Sequence, residues 1–339
     1  MLMRKEAMLW EKLEGDKVHC YLCAHHCKIE EGRFGFCGMR KNIEGKLYTF
    51  AYGEVIASHV DPIEKKPFYH FLPGTYAFSI ATIGCNFHCP FCQNWTISQV
   101  SARNGGVEGY ELKPEKVVSE ALRNGCRSIS YTYTEPTVFF EYAYDTAKLA
   151  KEKGLFNNFV TNGYMTKEAI DAIGPYLDAA NVDLKYFRDE SYRKICKGSL
   201  QPVLDSIRNM KKAGIWVEVT TLVIPGQNDS DEELKDIASF IAETGKEVPW
   251  HISRFHPDYK FTESRPTPLG TLERAMEIGR EAGLKYVYLG NVMAGGQTLC
   301  PGCGVLLVER SGFTARSTGN FAKGKCAGCG TQIEGVWEE

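Results

Sequence analysis

The sequence lacks any apolar run that approaches the roughly 18 residues of a membrane-spanning helix. Its beginning, MLMRKEAMLWEKLEG, mixes charged with apolar residues and therefore lacks the uninterrupted apolar region of a secretory signal. An excess of charge of one sign is also missing, since 40 basic residues face 42 acidic ones. This balance gives no overall attraction to nucleic acid or to an acidic membrane, although a local patch is not excluded. We expect a cytoplasmic protein of about two domains without a membrane partner.

Cysteine is the informative residue type in this chain. Of 13 cysteines, 11 fall into three tight groups, which are Cys20, Cys23, Cys27 and Cys37; Cys85, Cys89 and Cys92; and Cys300, Cys303, Cys326 and Cys329. Disulfides are disfavoured in a reducing cytosol, and cysteines only two or three residues apart are better placed to converge on one metal. The groups therefore predict metal sites. Cys126 and Cys196 stand alone and are expected to be small buried side chains.

Short apolar runs alternate with helical patterns from residue 76 onward. This alternation predicts an α/β fold of parallel β/α units with right-handed crossovers. About six such units favour a partial parallel (β/α) barrel, with a small Cys-rich module at each terminus. The predicted regions are a metal-binding module at 1–50, a connecting segment at 51–75, the barrel at 76–292 and a zinc-ribbon-like module at 293–339.

Polar residues cluster directly after the predicted strands. In β/α barrels the site forms at the carboxyl ends of the strands, so these positions predict a common rim. Asp183 and Lys185 alternate along the fourth strand, so their side chains point to one face. The other strand-end motifs are the cysteine loop, Thr134-Glu135-Pro136, Thr161-Asn162-Gly163, Pro225-Gly226-Gln227-Asn228-Asp229 and His256-Pro257.

The central cysteines form a CxxxCxxC loop after the first predicted strand of the barrel. Three thiolates this close can hold three corners of a [4Fe–4S] cluster, for which four cysteines are usual. The missing ligand leaves one iron open, and a molecule with adjacent amine and carboxylate groups could chelate it. The alternatives are a zinc site completed by His88 and an ordinary cluster with a distant fourth cysteine.

The loop resembles that of the radical S-adenosylmethionine (SAM) superfamily. The segments GCNFHCPFCQNWTISQ, YTYTEPT, FVTNGYMT, NVDLKYF and TTLVIPGQND are similar to the activating enzymes of glycyl-radical enzymes such as pyruvate formate-lyase. The flanking segments resemble the radical SAM proteins of the AmmeMemoRadiSam system, and they are CYLCAHHCKIEEGRFGFCGMR, DPIEKKPFYHFLPG and CPGCG…CAGCGTQIEGVW. Such proteins are typically encoded near Memo-like and AMMECR-like proteins, which are therefore candidate partners.

The resemblance implies that the reduced cluster passes one electron, taken from an external donor, to the sulfonium of SAM. Cleavage then gives methionine and a 5′-deoxyadenosyl radical, which abstracts a hydrogen atom from an unidentified substrate. The substrate classes are a protein to be activated and a small molecule or RNA base. The alternative from a different class is a non-enzymatic iron–sulfur and zinc adaptor or electron carrier.

The resemblance also assigns roles to residues around SAM. Phe91 matches an aromatic residue beside the adenine, and Glu135, with the backbone around Thr134 and Pro136, matches the acceptor of the methionine amine. The remaining positions that match SAM contacts are Asn162, Asp183, Lys185 and His256. Two positions depart from the activating enzymes: Val160 stands where they have an aspartate of a cation site, and Thr220 where they have an arginine.

The two flanking cysteine groups differ in how well their spacing identifies a metal. The paired CxxCG motifs at Cys300 and Cys326 are spaced as in a zinc ribbon, so they predict a structural zinc site. The intervening hairpin is moderately basic, so contact with nucleic acid is not excluded. The N-terminal four can bind either zinc, with His25 or His26 replacing one thiolate, or a second [4Fe–4S] cluster.

Overall fold

The computed structural model describes residues 4–105, 109–293 and 296–337. An eight-stranded sheet forms the centre of this part of the chain, and its strands lie in the order β8-β7-β6-β5-β4-β3-β2-β1. Strand β1 is antiparallel to β2, and each later neighbour is parallel. The strands are β1 Ala57–Pro62, β2 Tyr76–Ala81, β3 Ser128–Tyr131, β4 Phe156–Thr161, β5 Ala179–Asp183, β6 Trp216–Val223, β7 Trp250–Arg254 and β8 Val287–Gly290.

One helix lies in each crossover between the seven parallel strands. They are α1 Pro114–Arg123, α2 Phe140–Glu152, α3 Lys167–Ile173, α4 Leu200–Lys212, α5 Asp231–Thr244 and α6 Leu269–Glu281. Helix α1 begins at a proline, whose missing N–H costs nothing at a first helical position. Helix α5 begins after Ser230, whose side chain accepts a hydrogen bond from the Glu233 backbone N–H at 3.3 Å.

Shorter helical segments supplement these six helices, some within the first and fourth crossovers and some before β2. They are the α-helical turns Trp95–Ser98 and Asp189–Ser191, the π-helical Tyr192–Cys196, and the 3-10 turns Glu14–Asp16, Ile63–Lys65 and Ala102–Asn104. None of the helices in the described part of the chain has the length and apolar character that crossing a membrane requires.

The architecture confirms the predicted α/β class with a mostly parallel central sheet. In the described residues β1 and β8 are the outermost strands and do not pair with each other, so the sheet is open.

One face of the central sheet carries polar side chains that pair across neighbouring strands. Ser130 on β3 donates to the Asn158 side chain on β4 at 2.7 Å, and Thr220 on β6 donates to Asn181 on β5 at 2.8 Å. Buried polar atoms require hydrogen-bond partners. These pairs therefore favour the observed alignment of β3 with β4 and of β5 with β6, and they make this face of the sheet polar.

Residues 63–72, within the segment predicted as a connector, cross this polar face. The Asn181 side chain donates to the Pro67 carbonyl at 2.8 Å. The buried Glu218 carboxylate accepts from the backbone N–H groups of Tyr69 and His70 at 3.0 and 2.9 Å, and it lies 2.6 Å from Nε2 of His251. The segment is therefore anchored to the interior of the sheet.

The N-terminal region consists of two small antiparallel sheets, each with three strands. It is attached to helix α2 by a buried ion pair between Arg40 and Glu141 at 2.5 Å. The strands are Lys5–Glu6, Arg40–Ile43 and Lys46–Thr49 in one sheet, and Trp10–Lys12, Val18–Cys20 and Cys27–Ile29 in the other. A further pair is formed by Glu54–Val55 and Tyr110–Glu111.

The C-terminal region is a small antiparallel unit that packs on residues 63–72. The Arg310 guanidinium donates to the Tyr69 carbonyl at 2.7 Å and lies 4.2 Å above the Tyr69 ring. Its strands are Thr298–Leu299, Leu306–Ser311 and Thr314–Ser317, with a second pair formed by Phe321–Ala322 and Lys325–Cys326.

Candidate active site and metal centres

The central cysteine loop begins directly after β2 and brings three thiols to the carboxyl edge of the sheet. The loop starts at Gly84, whose φ of +99° favours glycine. Cys85 Sγ accepts from the Phe87 backbone N–H at 3.3 Å, and Cys92 Sγ lies 3.1 Å from the Ser98 hydroxyl. Hydrogen bonds to sulfur of this kind tune metal-bound thiolates.

The three cysteines line a cavity of about 490 Å³, within the size range of small-molecule sites. The cavity is lined by residues of all seven parallel strands or of the loops that follow them, and by residues of the segment 64–69. The predicted site residues in its wall are Cys85, Cys89, Phe91, Cys92, Thr134, Glu135, Asn162, Asp183 and Lys185. Val160 and Thr220, the two departures from the activating enzymes, line the same cavity. The motifs after β2, β3, β4 and β5 therefore share one rim, whereas residues 225–229 and 256–257 do not line the cavity.

Glu135 is a buried carboxylate with a dense set of donors. Its Oε1 accepts from the Thr137 N–H, the Thr137 hydroxyl and the Thr161 hydroxyl at 3.0, 2.6 and 2.7 Å. Its Oε2 accepts only from the Asn162 N–H, at 2.8 Å. Burial raises the pKa of the Glu135 carboxyl, and these hydrogen bonds partly offset that rise. The carboxylate ties β3 to β4 and keeps acceptor capacity on Oε2.

Asn162 connects the end of β4 to the cysteine loop. Its Nδ2 donates to Oδ1 of Asn86 at 2.7 Å and lies 3.8 Å from Cys85 Sγ. Its Oδ1 accepts from the Tyr164 N–H at 3.0 Å, an interaction typical of a turn. Asn162 thus serves the turn and also positions the loop.

Asp183 and Lys185 form an ion pair in the cavity wall, with 2.8 Å between Oδ2 and Nζ. Both side chains lie on one face of the chain, as the alternation along β5 predicts. Burial alone would lower the pKa of the Lys185 ammonium, but the attraction of Asp183 outweighs it, so the pKa is raised. Lys185 is therefore a cation at neutral pH beside the cysteine loop.

The remaining candidate residues lie at different distances from the cavity. The Phe91 ring is buried and packs edge-on against Tyr186. Pro136 is buried but is not part of the cavity wall. His256 is exposed, and its Nδ1 accepts from the Gln93 side chain at 2.9 Å. Because Gln93 lines the cavity, His256 reaches the cavity through that side chain rather than directly.

A match to the radical SAM superfamily spans residues 79–241. An uncharacterized protein of Methanocaldococcus jannaschii is 49% identical over 334 residues, covering 97% of this chain and 99% of that protein. Pyruvate formate-lyase 1-activating enzyme of Escherichia coli K12 is 23% identical over 221 residues, covering 60% of this chain and 89% of that enzyme. This chain belongs to the radical SAM superfamily.

Solved structures similar to this chain include a domain of a pyruvate-formate lyase-activating enzyme from Bacteroides vulgatus. The identity is 18% and the TM-score 0.44, with 48% of this chain and 99% of that domain covered. The radical SAM match itself begins within β2 and ends within α5, so it contains the cysteine loop, Glu135, Asn162 and Lys185.

The segment 64–69 contributes cavity residues that the sequence interpretation assigned to a connector. Glu64, Lys65, Lys66, Pro67 and Tyr69 all line the cavity of the radical SAM domain. One sequence feature could have indicated that this segment contributes to the site. It is the run Glu64-Lys65-Lys66, three consecutive charged residues between two prolines in an otherwise apolar stretch.

Asp61, at the end of β1, organises this segment. It accepts from Lys65 and Lys66 at 2.8 and 2.7 Å and from the Tyr133 hydroxyl. Burial alone would raise the pKa of the Asp61 carboxyl, but these three hydrogen bonds hold that pKa well below its usual value. Burial also lowers the pKa of the Lys66 ammonium to about 8, against the attraction of Asp61.

The three loop sulfurs fit a cluster better than a single zinc ion. Tetrahedral zinc with Zn–S bonds of about 2.3 Å holds its sulfurs roughly 3.8 Å apart. Among the described residues, the group of metal-ligating side chains with all ligand atoms within 4.8 Å is the C-terminal four, so the loop trio is more widely spaced. His88, the alternative zinc ligand, is exposed and is not part of the cavity wall. Its Nδ1 lies 3.0 Å from Oε1 of Gln99.

Cys196 is the other side chain close enough to the loop cysteines to be considered as a fourth metal ligand. It is buried within the π-helical segment and in hydrogen-bond contact with Cys89, which raises the pKa of the Cys89 thiol together with burial. Its carbonyl accepts from the His88 N–H at 3.0 Å. Cys196 is not part of the cavity wall. Cys196 therefore contacts the cysteine loop away from the cavity, and it does not occupy the space between the three loop sulfurs and the cavity.

The four C-terminal cysteines converge as the spacing of their motifs predicts. All four sulfurs lie within 4.8 Å of one another, with 3.6 Å between Cys300 and Cys329 and between Cys303 and Cys326. These separations match a tetrahedral S₄ site. The group can hold a metal ion, and the chemistry of four thiolates suits zinc.

The four N-terminal cysteines line a second, smaller cavity. Its wall is otherwise mostly apolar, and its residues are Cys20, Leu22, Cys23, Cys27, Ile29, Gly35, Phe36, Cys37, Arg40, Asn86, Thr137 and Val138. Asn86 and Thr137 belong to the radical SAM domain, so this cavity lies between the N-terminal region and the cysteine loop.

Proposed function

We propose that this protein is a radical SAM enzyme in which Cys85, Cys89 and Cys92 hold a [4Fe–4S] cluster, on a partial (β/α) barrel. The observation that carries the proposal is the shared cavity. Three widely spaced sulfurs face the same space as Glu135, Asn162 and the Asp183–Lys185 pair. An open iron beside a carboxylate and an ammonium suits a ligand that has both an amine and a carboxylate, as SAM does.

When bound, the cluster supplies one electron for reductive cleavage of SAM to methionine and a 5′-deoxyadenosyl radical, which abstracts a hydrogen atom. The residues of the chain bind and orient the cofactor. Oε2 of Glu135 retains an acceptor position for an ammonium group, and Lys185 offers a cation for a carboxylate. Phe91 supplies an aromatic surface for the adenine.

The terminal modules have separate tasks in this proposal. Four C-terminal thiolates leave no open coordination position, so we assign them a structural zinc. The C-terminal unit packs through Arg310 on Tyr69, which lines the cavity. The zinc module thereby supports one wall of the active site.

The substrate is proposed to be either a protein activated at its backbone or a small molecule or RNA base. Gln93 and Asn94 line the cavity, and the next residue, Trp95, has an exposed ring that stacks on Tyr259 with 4.9 Å between ring centroids. Memo-like and AMMECR-like proteins are the proposed partners, and an external protein supplies electrons. Pull-downs from extracts that contain tagged Memo-like and AMMECR-like proteins test the partners directly.

The competing function, a non-enzymatic metal adaptor, is less well supported. An adaptor has no use for a cavity of about 490 Å³ lined by the buried Glu135 carboxylate and a partly exposed ion pair. Buried charges are costly and are concentrated at functional sites.

The test is anaerobic reconstitution with iron and sulfide, followed by reduction and addition of SAM. The proposal predicts formation of 5′-deoxyadenosine and its loss in Cys85→Ala, Cys89→Ala and Cys92→Ala. The matched control is Cys126→Ala, which removes an isolated buried thiol far from the loop in sequence. An intact cluster that neither binds SAM nor yields 5′-deoxyadenosine under several reductants favours the adaptor.

A further inference from the structure

We infer that Cys20, Cys23, Cys27 and Cys37 hold a second [4Fe–4S] cluster, which relays electrons to the cysteine loop of the radical SAM domain. The relay role rests on the proposed function, whereas the metal assignment does not. The inference begins with the spacing of the four sulfurs around their cavity.

The N-terminal sulfurs are too far apart for one tetrahedral zinc ion. Zinc requires sulfurs roughly 3.8 Å apart, and the C-terminal four meet this requirement within 4.8 Å. Within the described chain the N-terminal four do not form such a group, although all four line one cavity. Four thiolates set wider apart than one zinc ion requires are the ligand set of a [4Fe–4S] cluster.

Arg40 supplies an independent sign of an anionic occupant. Its side chain is only 2% exposed and lines the cavity. Its Nη1 lies 3.8 Å from Cys20 Sγ, and its Nε–H has no hydrogen-bond partner. An unpaired buried donor is costly, and the sulfides and thiolates of a cluster would accept from it. Because Glu141 already balances the charge of the guanidinium at 2.5 Å, the unpaired Nε–H is the observation that points to an acceptor in the cavity.

The backbone around the cavity is adapted to sulfur. The Phe36 N–H donates to Cys27 Sγ at 3.4 Å. A Cβ added at Gly35 would lie 3.0 Å from Ile29 Cδ1 and 3.7 Å from Cys27 Sγ. The absence of a side chain at Gly35 therefore keeps the space beside Cys27 free. N–H groups that point at sulfur tune the potential of iron–sulfur clusters.

Asn86 forms the wall that the two cysteine sites share. It follows Cys85 directly in the chain and lines the N-terminal cavity. Its carbonyl accepts from Nε2 of His25, which lies between Cys23 and Cys27, at 2.7 Å. A cluster in the N-terminal cavity would therefore contact Asn86, the residue that directly follows the loop ligand Cys85.

The relay is balanced in electrons. A low-potential iron–sulfur or flavin protein gives one electron to the N-terminal cluster, which passes one electron to the loop cluster and returns to its oxidised state. One electron then reaches the sulfonium of SAM. The N-terminal cluster neither gains nor loses charge over the cycle, and the external donor is the species oxidised.

The first experiment measures metal content in the full chain with Cys85, Cys89 and Cys92 all changed to Ala. After anaerobic reconstitution we expect about four iron and four sulfide per chain and an EPR signal on reduction, alongside zinc at the C-terminal site. Adding Cys23→Ala and Cys37→Ala should remove that iron. Zinc in place of iron, or no sulfide, overturns the assignment. Because this readout requires no SAM cleavage, it separates the assignment from the proposed function.

The second experiment tests the relay in Cys23→Ala/Cys37→Ala with the loop cysteines intact. Single-turnover SAM cleavage with dithionite should stay within about twofold of wild type, while cleavage driven by a reduced flavodoxin should fall by about tenfold or more. The loop cluster is counted by iron in the same sample, and Cys126→Ala is the matched control. Equal loss with both reductants, or with neither, overturns the relay role.

Discussion

Cys196 gives the sharpest residue-scale test of how many ligands the loop provides. It touches Cys89 but is outside the cavity wall. We predict that Cys196→Ala retains iron and forms 5′-deoxyadenosine at a rate within about threefold of wild type, since a supporting contact is all that is lost. Cys92→Ala should abolish the product. Iron loss in Cys196→Ala equal to that in Cys92→Ala would identify Cys196 as a fourth ligand.

The pair Lys65 and Lys66 allows a matched test of burial. Both bind Asp61, yet the Lys65 side chain is 43% exposed and the Lys66 side chain 2%. Breaking a buried pair costs about 3 kcal/mol, so Lys66→Met should lower the unfolding free energy of the metal-free chain by that amount at pH 7. Lys65→Met should cost under about 1 kcal/mol. Equal effects in urea unfolding would contradict this explanation.

The same pair predicts a pH dependence. Folding depresses the pKa of Asp61, so its stabilising effect is present above the unfolded-state value of about 3.9 and is lost as the pH falls toward the folded-state value. The stability difference between wild type and Lys66→Met should therefore shrink below about pH 4. Urea midpoints of both proteins at pH 7 and at pH 3.5 measure it, and a constant difference would argue against an ionised Asp61.

At the residue scale, sequence patterns predicted side chains that a strand presents together. The alternation of Asp183 and Lys185 predicted a common face, and their 2.8 Å ion pair agrees with it. The pattern did not reveal that Asn162 and Glu135 are joined, because that contact depends on the register of β3 and β4. Nor did it indicate that Gln93 lies between His256 and the cavity.

Among the elements, the turn at Gly84 couples the cysteine loop to the N-terminal region. A Cβ at Gly84, where φ is +99°, would lie 2.7 Å from Met39 Cγ, whereas Gly125 also has a positive φ, of +64°, but nothing within 4 Å. We predict that Gly84→Ala destabilises the chain by about 1–3 kcal/mol more than Gly125→Ala. Thermal unfolding of the two variants tests this difference.

Met39→Ala provides the control for the Gly84 prediction. If the clash is the cause, the double variant Gly84→Ala/Met39→Ala should be more stable than the sum of the two single effects by at least about 0.5 kcal/mol. Additive effects would show that the conformation of the turn, and not Met39, determines the cost.

At the scale of elements, the buried parallel strands could be predicted from the sequence, whereas the antiparallel edge strand β1 could not. The apolar runs correctly predicted β2 to β8, since parallel strands buried on both faces read as apolar runs. Strand β1 fell in the segment predicted as a connector. Its residues ASHVDP end in Asp-Pro, and two of them are exposed, so an antiparallel edge strand left little apolar signal.

For the whole molecule, the C-terminal cysteine module packs through Arg310 on Tyr69, which lines the cavity of the radical SAM domain. We predict that Cys329→Ser lowers zinc from about one per chain to near zero, because an S₄ site needs all four ligands. The melting temperature should fall by several degrees. Cys126→Ala is the control for losing a thiol. Iron and sulfide at this site, measured in a variant without the other cysteine groups, would contradict the zinc assignment.

The relation between modules was the least predictable property. Spacing alone did not decide between zinc, which it slightly favoured, and a cluster for the N-terminal four, because ligand spacing in sequence does not set distances between sulfurs. Those distances depend on how two small sheets meet the cysteine loop, through contacts such as His25 with Asn86 at 2.7 Å. The sequence contains the residues for such contacts but no local pattern that pairs them.

The central claim, an iron site left open for SAM, is tested most directly by Mössbauer spectroscopy of the ⁵⁷Fe-reconstituted full chain. Addition of SAM should change the signal of about one iron in four of the loop cluster, the iron without a cysteine ligand, and Cys92→Ala should show no such change. An intact loop cluster whose irons all keep their signals in saturating SAM would contradict the account.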